Sequence, residues 1–475
     1  SRLGSSDKLS AVPSQLSALG ACLRISPSPM VAEFANLRAM EKKFKEWNPK
    51  QAWLLPPCVL DFVPEGHTAH FVRDTVRQSL DLSSIFRCYQ EARGQPPFHP
   101  AMMVALLLYA SSQGVYSSRK IAKACEERLD FLAVTAMQKP DHHTICLFRK
   151  RHLEALSGLF VQVLKLCERA GLVRLGHVAL DGSKFRANAS KHKGTNYGRM
   201  KKLAPKLAAQ VKEWLDQAKN VDACEDEEYG SKRRGDELPE WVKNKKKRLE
   251  RLREAKEEIE AEAKQEAEEK AKKPPKYRGG RKPKTPPGVP KDNAEYNFTD
   301  CDSRIMKTSE GFQQCYNTQA AVDSANQIIV AQKLTNSASD RNQLIPIVGQ
   351  IKENLGRQAK ELSADGDYCS EDNLKELKRR HISGYVSATR HYQSDESEKA
   401  RPPKQGTYAR EMWRRIKQGR HRSRYRLRKQ VVEPVFGQIK MARNFRQFLL
   451  RGEENVSAEW GLLCTVHNLL KLAKV

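Results

Sequence analysis

Apolar positions along the chain fall into successive regimes of spacing. From Asp61 to Leu172 they recur at helical intervals. Pro100 opens a helix whose buried side is Met102, Met103, Leu106, Leu107 and Tyr109, and Gly114 closes it. Ser117-Ser118 caps a second helix that turns Ile121, Ala124 and Cys125 inward. Pro140-Asp141 precedes a third, in which Ile145, Leu147 and Phe148 pack while Arg149, Lys150 and Arg151 stay exposed. Short helices, tight turns and a basic last helix suit a helix-turn-helix-like module. An ordinary helical bundle with a solvated basic face fits the same pattern equally well.

The period then changes. Val178 and Leu180 predict a short buried strand that ends on Asp181, with Gly182-Ser183 as the turn behind it. A long interruption follows. Residues 204–219 predict an amphipathic helix with Leu207, Val211 and Leu215 on one stripe and Pro205 in its first turn. An acidic loop runs from Cys224 to Gly235, and a second, highly charged helix spans Trp241 to Lys273, with Pro239 at its start. Leu249, Leu252, Ile259 and Ala263 give it a thin seam, so the two helices predict an antiparallel hairpin. A solvated spacer and a partner-binding arm both fit that hairpin. Residues 274–291 are rich in Pro, Gly and Lys and read as a flexible basic linker.

Strand patterns return at Arg304–Thr308, Gly311–Asp323 and Gln327–Leu334. Asp340 is expected to cap a helix through Leu344, Ile347, Val348 and Ile351. Residues 359–365 form a strand that again ends on an acid, Asp365. Ser370 caps a helix to Arg380, and Ile382–Ser387 is a further strand. Strands followed by alternating helices and strands predict a mixed sheet with helices on its faces.

Charge adds a partner to this outline. The 475 residues carry 85 Lys and Arg against 57 Asp and Glu, a net charge of +28. That imbalance points to a polyanion, most simply nucleic acid. The 11 cysteines form no C-x-x-C pair, which argues for a reducing compartment and against a disulfide framework or a zinc site. No apolar run is long enough to span a bilayer. Residues 1–39, rich in Ser, Pro and Leu without period, read as a disordered or non-native leader, with Met30 or Met40 as the start.

A third acid joins the two at strand ends. Glu433 falls in the first turn of a helix that tolerates Pro434 there, and Lys440 lies two turns on, on the same face. Residues 401–451 hold 16 Lys and Arg against two acids, Glu411 and Glu433, so half the net charge of the chain surrounds Glu433. Trp413, Tyr425, Phe445 and Phe448 interleave with those cations and offer stacking surfaces. Three convergent carboxylates can hold two Mg²⁺ ions, or Mn²⁺, about 3.5–4 Å apart.

These segments resemble bacterial insertion-sequence transposases of the DDE type, most closely the insertion-sequence 1182 group of the IS-four/IS-five-like assemblage. The resemblance runs from about Trp53 to the end of the chain. It is carried by GHVALDGSKFRANASKH, NFTDCDSRIMK, ADGDYCSEDNL and VVEPVFGQIK with FRQFLLRG, and supported by GQPPFHPAMMVALLLYASSQGVYSSRKIAKACEE and PDHHTICLFRKRHLEAL. It implies an RNase H-like core whose catalytic and metal-binding acids are Asp181, Asp365 and Glu433. The family's Tyr-Arg-Glu-Lys signature is matched by Tyr425, Arg428, Glu433 and Lys440, with Arg428 five residues before the Glu. Together with Arg446, Arg451, Arg149 and Arg151, the Tyr, Arg and Lys of that signature are the candidate DNA contacts. Two departures stand out. Asp367 adds an acid beside Asp365, and Cys301 replaces a usual Pro.

The expected fold class is therefore α/β. It comprises a helical DNA-binding domain over residues 40–172 and an RNase H-like mixed sheet over 173–475, interrupted at 197–295 by the charged hairpin and linker. The expected activity is binding of terminal inverted repeats, followed by two-metal strand cleavage and strand transfer. A catalytically inactive, domesticated DNA-binding descendant is the alternative, and a nuclease of the same fold a third reading. Double-stranded DNA is the expected partner, with a homodimer in the DNA complex, no membrane and no small-molecule cofactor. The expected location is the bacterial cytoplasm, at the nucleoid.

Overall fold

Helix α3 (Pro100–Ser112) is apolar on every side, and a helix of that kind is stable only inside a core. A computed structural model, which describes residues 58–89, 96–229, 240–271, 285–388, 403–419 and 423–475, surrounds it on all sides. It packs against α1 (Thr68–Gln78) and α5 (Leu129–Thr135), and α2 (Ser83–Phe86), α4 (Ser118–Glu127), α6 (His142–Arg151) and α7 (Leu153–Arg169) complete the helical segment. Asp141 caps α6 by accepting from the Thr144 N–H at 3.0 Å, as its place after Pro140 predicts. Gly114 ends α3 with φ +72°, and a Cβ there would meet the Arg443 carbonyl oxygen at 2.8 Å. The neighbouring Tyr116 hydroxyl donates to that same carbonyl at 2.9 Å, so the helical segment is tied to the far end of the chain.

The sheet is built on β5 (Gly311–Asp323), 13 residues long. On one edge it pairs antiparallel with β1 (His177–Arg186). On the other it pairs in succession with β4 (Arg304–Thr308) and β6 (Ile329–Thr335). Beyond β1 the pairing turns parallel, first to β7 (Glu361–Ala364) and then to β8 (Ser383–Val386). The sheet is thus mixed, with α10 (Leu344–Leu355), α11 (Glu371–Arg379) and α12 (Tyr408–Gly419) linking or flanking its parallel half.

Asp181 does not end its strand. The parallel pairing to β7 stops at Leu180↔Ala364, but the antiparallel pairing to β5 carries β1 six residues further, to Arg186. Gly182-Ser183 is therefore strand, because the long β5 supplies hydrogen-bonding partners past the point where β7 gives out. Asp365 does follow the last residue of β7 directly.

The interruption between β1 and β4 is a helical pair, α8 (Tyr197–Tyr229) and α9 (Glu240–Ala271), rooted in the small ribbon of β2 (Gly194–Asn196) and β3 (Glu295–Asn297). The Asn196 side chain accepts from the Arg199 N–H, which starts α8 earlier than the apolar stripe predicts. Pro205 consequently lies inside the helix rather than in its first turn, and residues 224–229 are helical rather than loop. Residues 230–235 of the expected loop, the linker up to 284 and the leader lie outside the described residues. Tyr197, Met200, Leu252, Ala255 and Ile259 form a small cluster of their own, separate from the main core.

The C-terminal helix α15 (Glu453–Leu472) closes the molecule. Nearly every residue from Val456 to Leu469 is buried, and the helix packs against α3 and α7 on one side and β6 on the other. Phe445 and Phe448 are not stacking surfaces. They are buried with Phe185, Tyr316 and Trp460, at ring-centroid distances of 5.4–6.1 Å. Burying each such ring is worth roughly 1.5–3 kcal/mol, which outweighs leaving it in the basic surface around it. One continuous core runs from the helical segment through the sheet.

Since the hairpin keeps its own cluster and joins the core through β2 and β3, it should be removable. Replacing residues 197–294 with Asn-Gly would join Asn196 to its cross-strand partner Glu295 by a two-residue turn. The shortened protein should unfold cooperatively, with a Tm within about 5 °C of the parent. Loss of a cooperative transition in calorimetry would show that the hairpin is part of the core.

Candidate active site

The site begins with register. Leu180 lies opposite Ala364, so the residues that follow, Asp181 and Asp365, emerge side by side at the end of β7. A third piece of chain crosses them. A short turn of helix, residues 424–426, leads into α13 (Leu427–Val431), which breaks at Val432 before α14 (Glu433–Gly437), with Pro434 in the first turn. A π-helical stretch, residues 438–442, then ends the run.

Arg428 is the centre of the arrangement. Its Nη1 donates to Asp181 Oδ2 at 2.7 Å. Its Nη2 lies 3.9 Å from Asp365 Oδ1 and 3.8 Å from Glu433 Oε1. The latter two oxygens thus cannot be farther apart than those two distances combined. Tyr425 completes the group by donating from its hydroxyl to Asp365 Oδ1 at 3.3 Å. Arg428 is only 9% exposed, so its charge is compensated by the carboxylates and not by water.

The acids outnumber the cation. Burial pushes the Asp181 carboxyl up to about 6, against the pull of Arg428 and its own backbone contact, and the charges of Asp365 and Asp340 push the same way. Arg428 is raised in turn, because the surrounding acids outweigh its own burial. Among the described residues no three acids, His or Cys stand together closely enough to hold a metal ion as they are. The guanidinium spaces them. The donor set is nevertheless one of hard oxygens that already holds a cation, which fits a divalent metal such as Mg²⁺.

A second layer lies behind Gly182. Gln319, its cross-strand partner, is fully buried and donates to Asp340 Oδ1 at 2.7 Å, beside Asn317, which donates to the same oxygen at 2.6 Å. The Tyr368 hydroxyl donates to the side-chain Oε1 of Gln319. Asp340 is therefore not a helix cap. The residue before α10 is Gln343, and the Asp340 side chain turns to the sheet because two buried amides need an acceptor. Nothing in the helix-like spacing near Asp340 separates these roles; the amides that decide between them are on another strand.

The remaining candidates are dispersed. Lys440 donates to Ser183 Oγ at 2.7 Å and the Lys184 carbonyl at 3.0 Å, with its ammonium 4.4 Å from the centre of the Phe185 ring. It sits against β1 next to the acids, and burial lowers its pKa. Arg446 and Arg451 lie beyond the far end of β1. Arg451 donates to the Asn188 carbonyl, and Arg446 lies against the Met441 sulfur. Arg151 is exposed on α6, over the Tyr89 ring. Arg149 is not on that exposed face. It turns inward, donates to the Tyr116 carbonyl at 2.9 Å and faces the cavity that the buried Glu459 also lines. The extra acid Asp367 is exposed, and its charge is felt at Asp340 on the second layer.

Further cations are exposed in α12 and in the run that carries Arg428. Arg414, Arg415 and Lys417 on α12 are exposed, as are Arg424, Arg426 and Lys429. Trp413 lies between Arg410 and Lys417, whose charged groups are 4.6 and 4.7 Å from its ring.

Comparison with protein families gives two matches. Residues 57–151 match the family described as Transposase domain (DUF772), and residues 293–469 match the Transposase DDE domain. The second match contains Asp365 and Glu433; Asp181 and the hairpin fall between the two. No curated protein and no solved structure gives a significant match. No helix among the described residues is long and apolar enough to cross a membrane.

Gly182 tests the second layer. A Cβ there would lie 2.5 Å from Gln319 Nε2 and 3.0 Å from Asp340 Oδ1, and Gln319 is held by Tyr368 and Asp340. Gly182→Ala should cost about 1–3 kcal/mol in urea unfolding. A loss below about 0.5 kcal/mol would mean that Gln319 moves aside freely.

Proposed function

We propose that this chain, a DDE transposase by the families it matches, binds the terminal inverted repeats of an insertion sequence and catalyses cleavage and strand transfer at Asp181, Asp365 and Glu433. The observation that carries the reading is the convergence of these three carboxylates on one guanidinium. Enzymes of this kind act on DNA phosphodiester bonds with divalent metal ions. The strand order supports an RNase H-like core, with three antiparallel strands followed by two parallel ones along the path from β6 to β8.

The charge balance supports a metal. Three carboxylates face one guanidinium, a deficit of two positive charges, which one divalent ion would fill. When bound, Mg²⁺ or Mn²⁺ supplies an activated water or 3′-hydroxyl and stabilises the leaving oxygen. Asp181 and Asp365 are mounted on adjacent strands and so hold their separation rigidly. Glu433, on a short helix after a break, completes the set from the opposite side. Tyr425 orients Asp365, and Arg428 orients Asp181.

The basic residues divide the work. Those of α12 and of residues 424–429 are exposed, in the chain that leads through Arg428, and hold phosphates independent of sequence. Arg151 on α6, with Arg446 and Arg451 beyond β1, would extend that surface toward the helical segment, which we assign to reading the DNA ends. The working form on DNA is a homodimer, one copy per transposon end.

Two measurements test the site. Glu433→Gln should lower cleavage of duplex carrying the DNA that flanks the gene by roughly 100-fold or more, while the Kd for the same duplex stays within about threefold. Cutting at the parental rate would remove Glu433 from the site. Arg428→Gln removes the resident cation. With no DNA present it should bind Mn²⁺ roughly tenfold more tightly than the parent by electron paramagnetic resonance titration. Equal or weaker binding would show that the metal does not enter where the guanidinium sits.

A further inference from the structure

The two halves of α9 carry opposite charge. Residues 243–253 contain seven Lys and Arg against one acid, Glu250, whereas residues 254–269 contain eight Glu against two Lys. The structure sorts these halves in space. Glu258 accepts from the Tyr296 hydroxyl, Glu260 from Tyr197, and Glu262 pairs with Arg304 of β4, so the acidic half lies against the root of the hairpin. The basic half lies outward. Lys245 reaches Gln210 of α8, and Lys243, Lys246, Lys247, Arg248, Arg251 and Arg253 are exposed. At 1.5 Å per residue, Lys243 is about 24 Å along the helix from Ile259 at the root.

This arrangement works against the helix itself. Lys243 and Lys247, and Lys247 and Arg251, are four apart, and like charges at that spacing repel on a helix surface. A solvated spacer is better served by alternating signs, which the inner half achieves in part with Lys256–Glu260. The outer half, with Glu250 alone against seven cations, gains little of that stabilisation, and a polyanion laid along it would supply the rest. Its apolar residues Leu249 and Leu252 are buried in the seam with α8, so the stripe offers charge with no insertable apolar face.

We propose that the outer half of the hairpin is a second DNA-binding surface, which holds the phosphate backbone of a duplex outside the catalytic cleft. The inference rests on the reading of the chain as a DNA enzyme. The acidic inner half separates the two surfaces, since its Glu residues repel phosphates. DNA on the arm is therefore a separate segment from DNA at Asp181, or a stretch bent far enough to bypass the collar. Contacts of this kind are independent of sequence and carry the salt dependence of counterion release.

The test is fluorescence anisotropy of the full chain with a labelled duplex of arbitrary sequence, about 30 base pairs long, over a series of KCl concentrations. Replacing Lys246, Lys247, Arg248 and Arg251 by Gln should lower the slope of log Kd against log salt by about 2–4 units, and weaken binding about tenfold or more in low salt. The same four positions as Arg or Lys of the other kind should keep the parental slope, which excludes a loss caused by misfolding. Glu257→Gln with Glu268→Gln, on the inner half, should leave binding unchanged or slightly tighter. If the parent binds duplex and the Gln variant matches it in slope and Kd, the arm is a spacer and the inference falls alone. A parent that does not bind duplex at all overturns the DNA reading with it. Capture of anionic vesicles in place of duplex would overturn the assignment of DNA as the partner.

Discussion

Crowded negative charge is the constraint on which the cleft depends. Asp181 is largely buried and Asp365 and Glu433 half exposed, and carboxylates brought this close repel one another unless something positive comes with them. Arg428 meets that need in the free protein, and its own burial is tolerable only because the acids surround it. Each partner is held by a different device: a strand running past its neighbour, a strand ending at its acid, and a helix restarted at a proline. The parallel pairing of β1 with β7 is the most exacting of these. A slip of one residue would turn Asp181 to the opposite face, leaving Arg428 buried without its closest partner.

Much of this was legible in the sequence, and for physical reasons. The acids of β7 and α14 announce themselves because period-two apolar runs and a Glu-Pro helix start are local signals. The limits of β1 are not local. Val178, Leu180 and the Gly182-Ser183 pair look like a strand and its turn, and only the length of β5, far along the chain, shows that the strand continues. Asp340 fails in the same way. An acid a few residues before an apolar helix is a good cap in isolation, but buried Asn317 and Gln319 compete for it and prevail. Phe445 and Phe448 lie among cations in sequence and inside the core in space, since a charged neighbour says nothing about which way an aromatic ring turns. Arg149 repeats the lesson on α6, where one of three consecutive cations is drawn inward by a backbone carbonyl and a facing acid. The hairpin is visible as two charged helices, but its start lies ahead of the apolar stripe because the side-chain cap at Asn196 falls outside it.

The helical segment and the sheet are not independent bodies in this molecule. They share α15, which is buried around most of its circumference and packs against α3 and α7 as well as β6. The contacts of Gly114 and Tyr116 with the Arg443 carbonyl add a second tie at the same seam. The two family matches fall on separate segments, while one continuous core runs through both.

That shared helix also fixes an order of events. A chain is made from its N-terminus, so the element on which both halves close leaves the ribosome after both of them. Until then the inner side of α7 and the outer face of β6 lie bare together, two apolar surfaces waiting for one partner. A premature stop anywhere before Glu453 leaves them so permanently, and such surfaces attract chaperones, proteases and one another. Synthesis of α15 is thereby a condition for closing the core behind the acids: a copy truncated before it is a clearance problem for the cell.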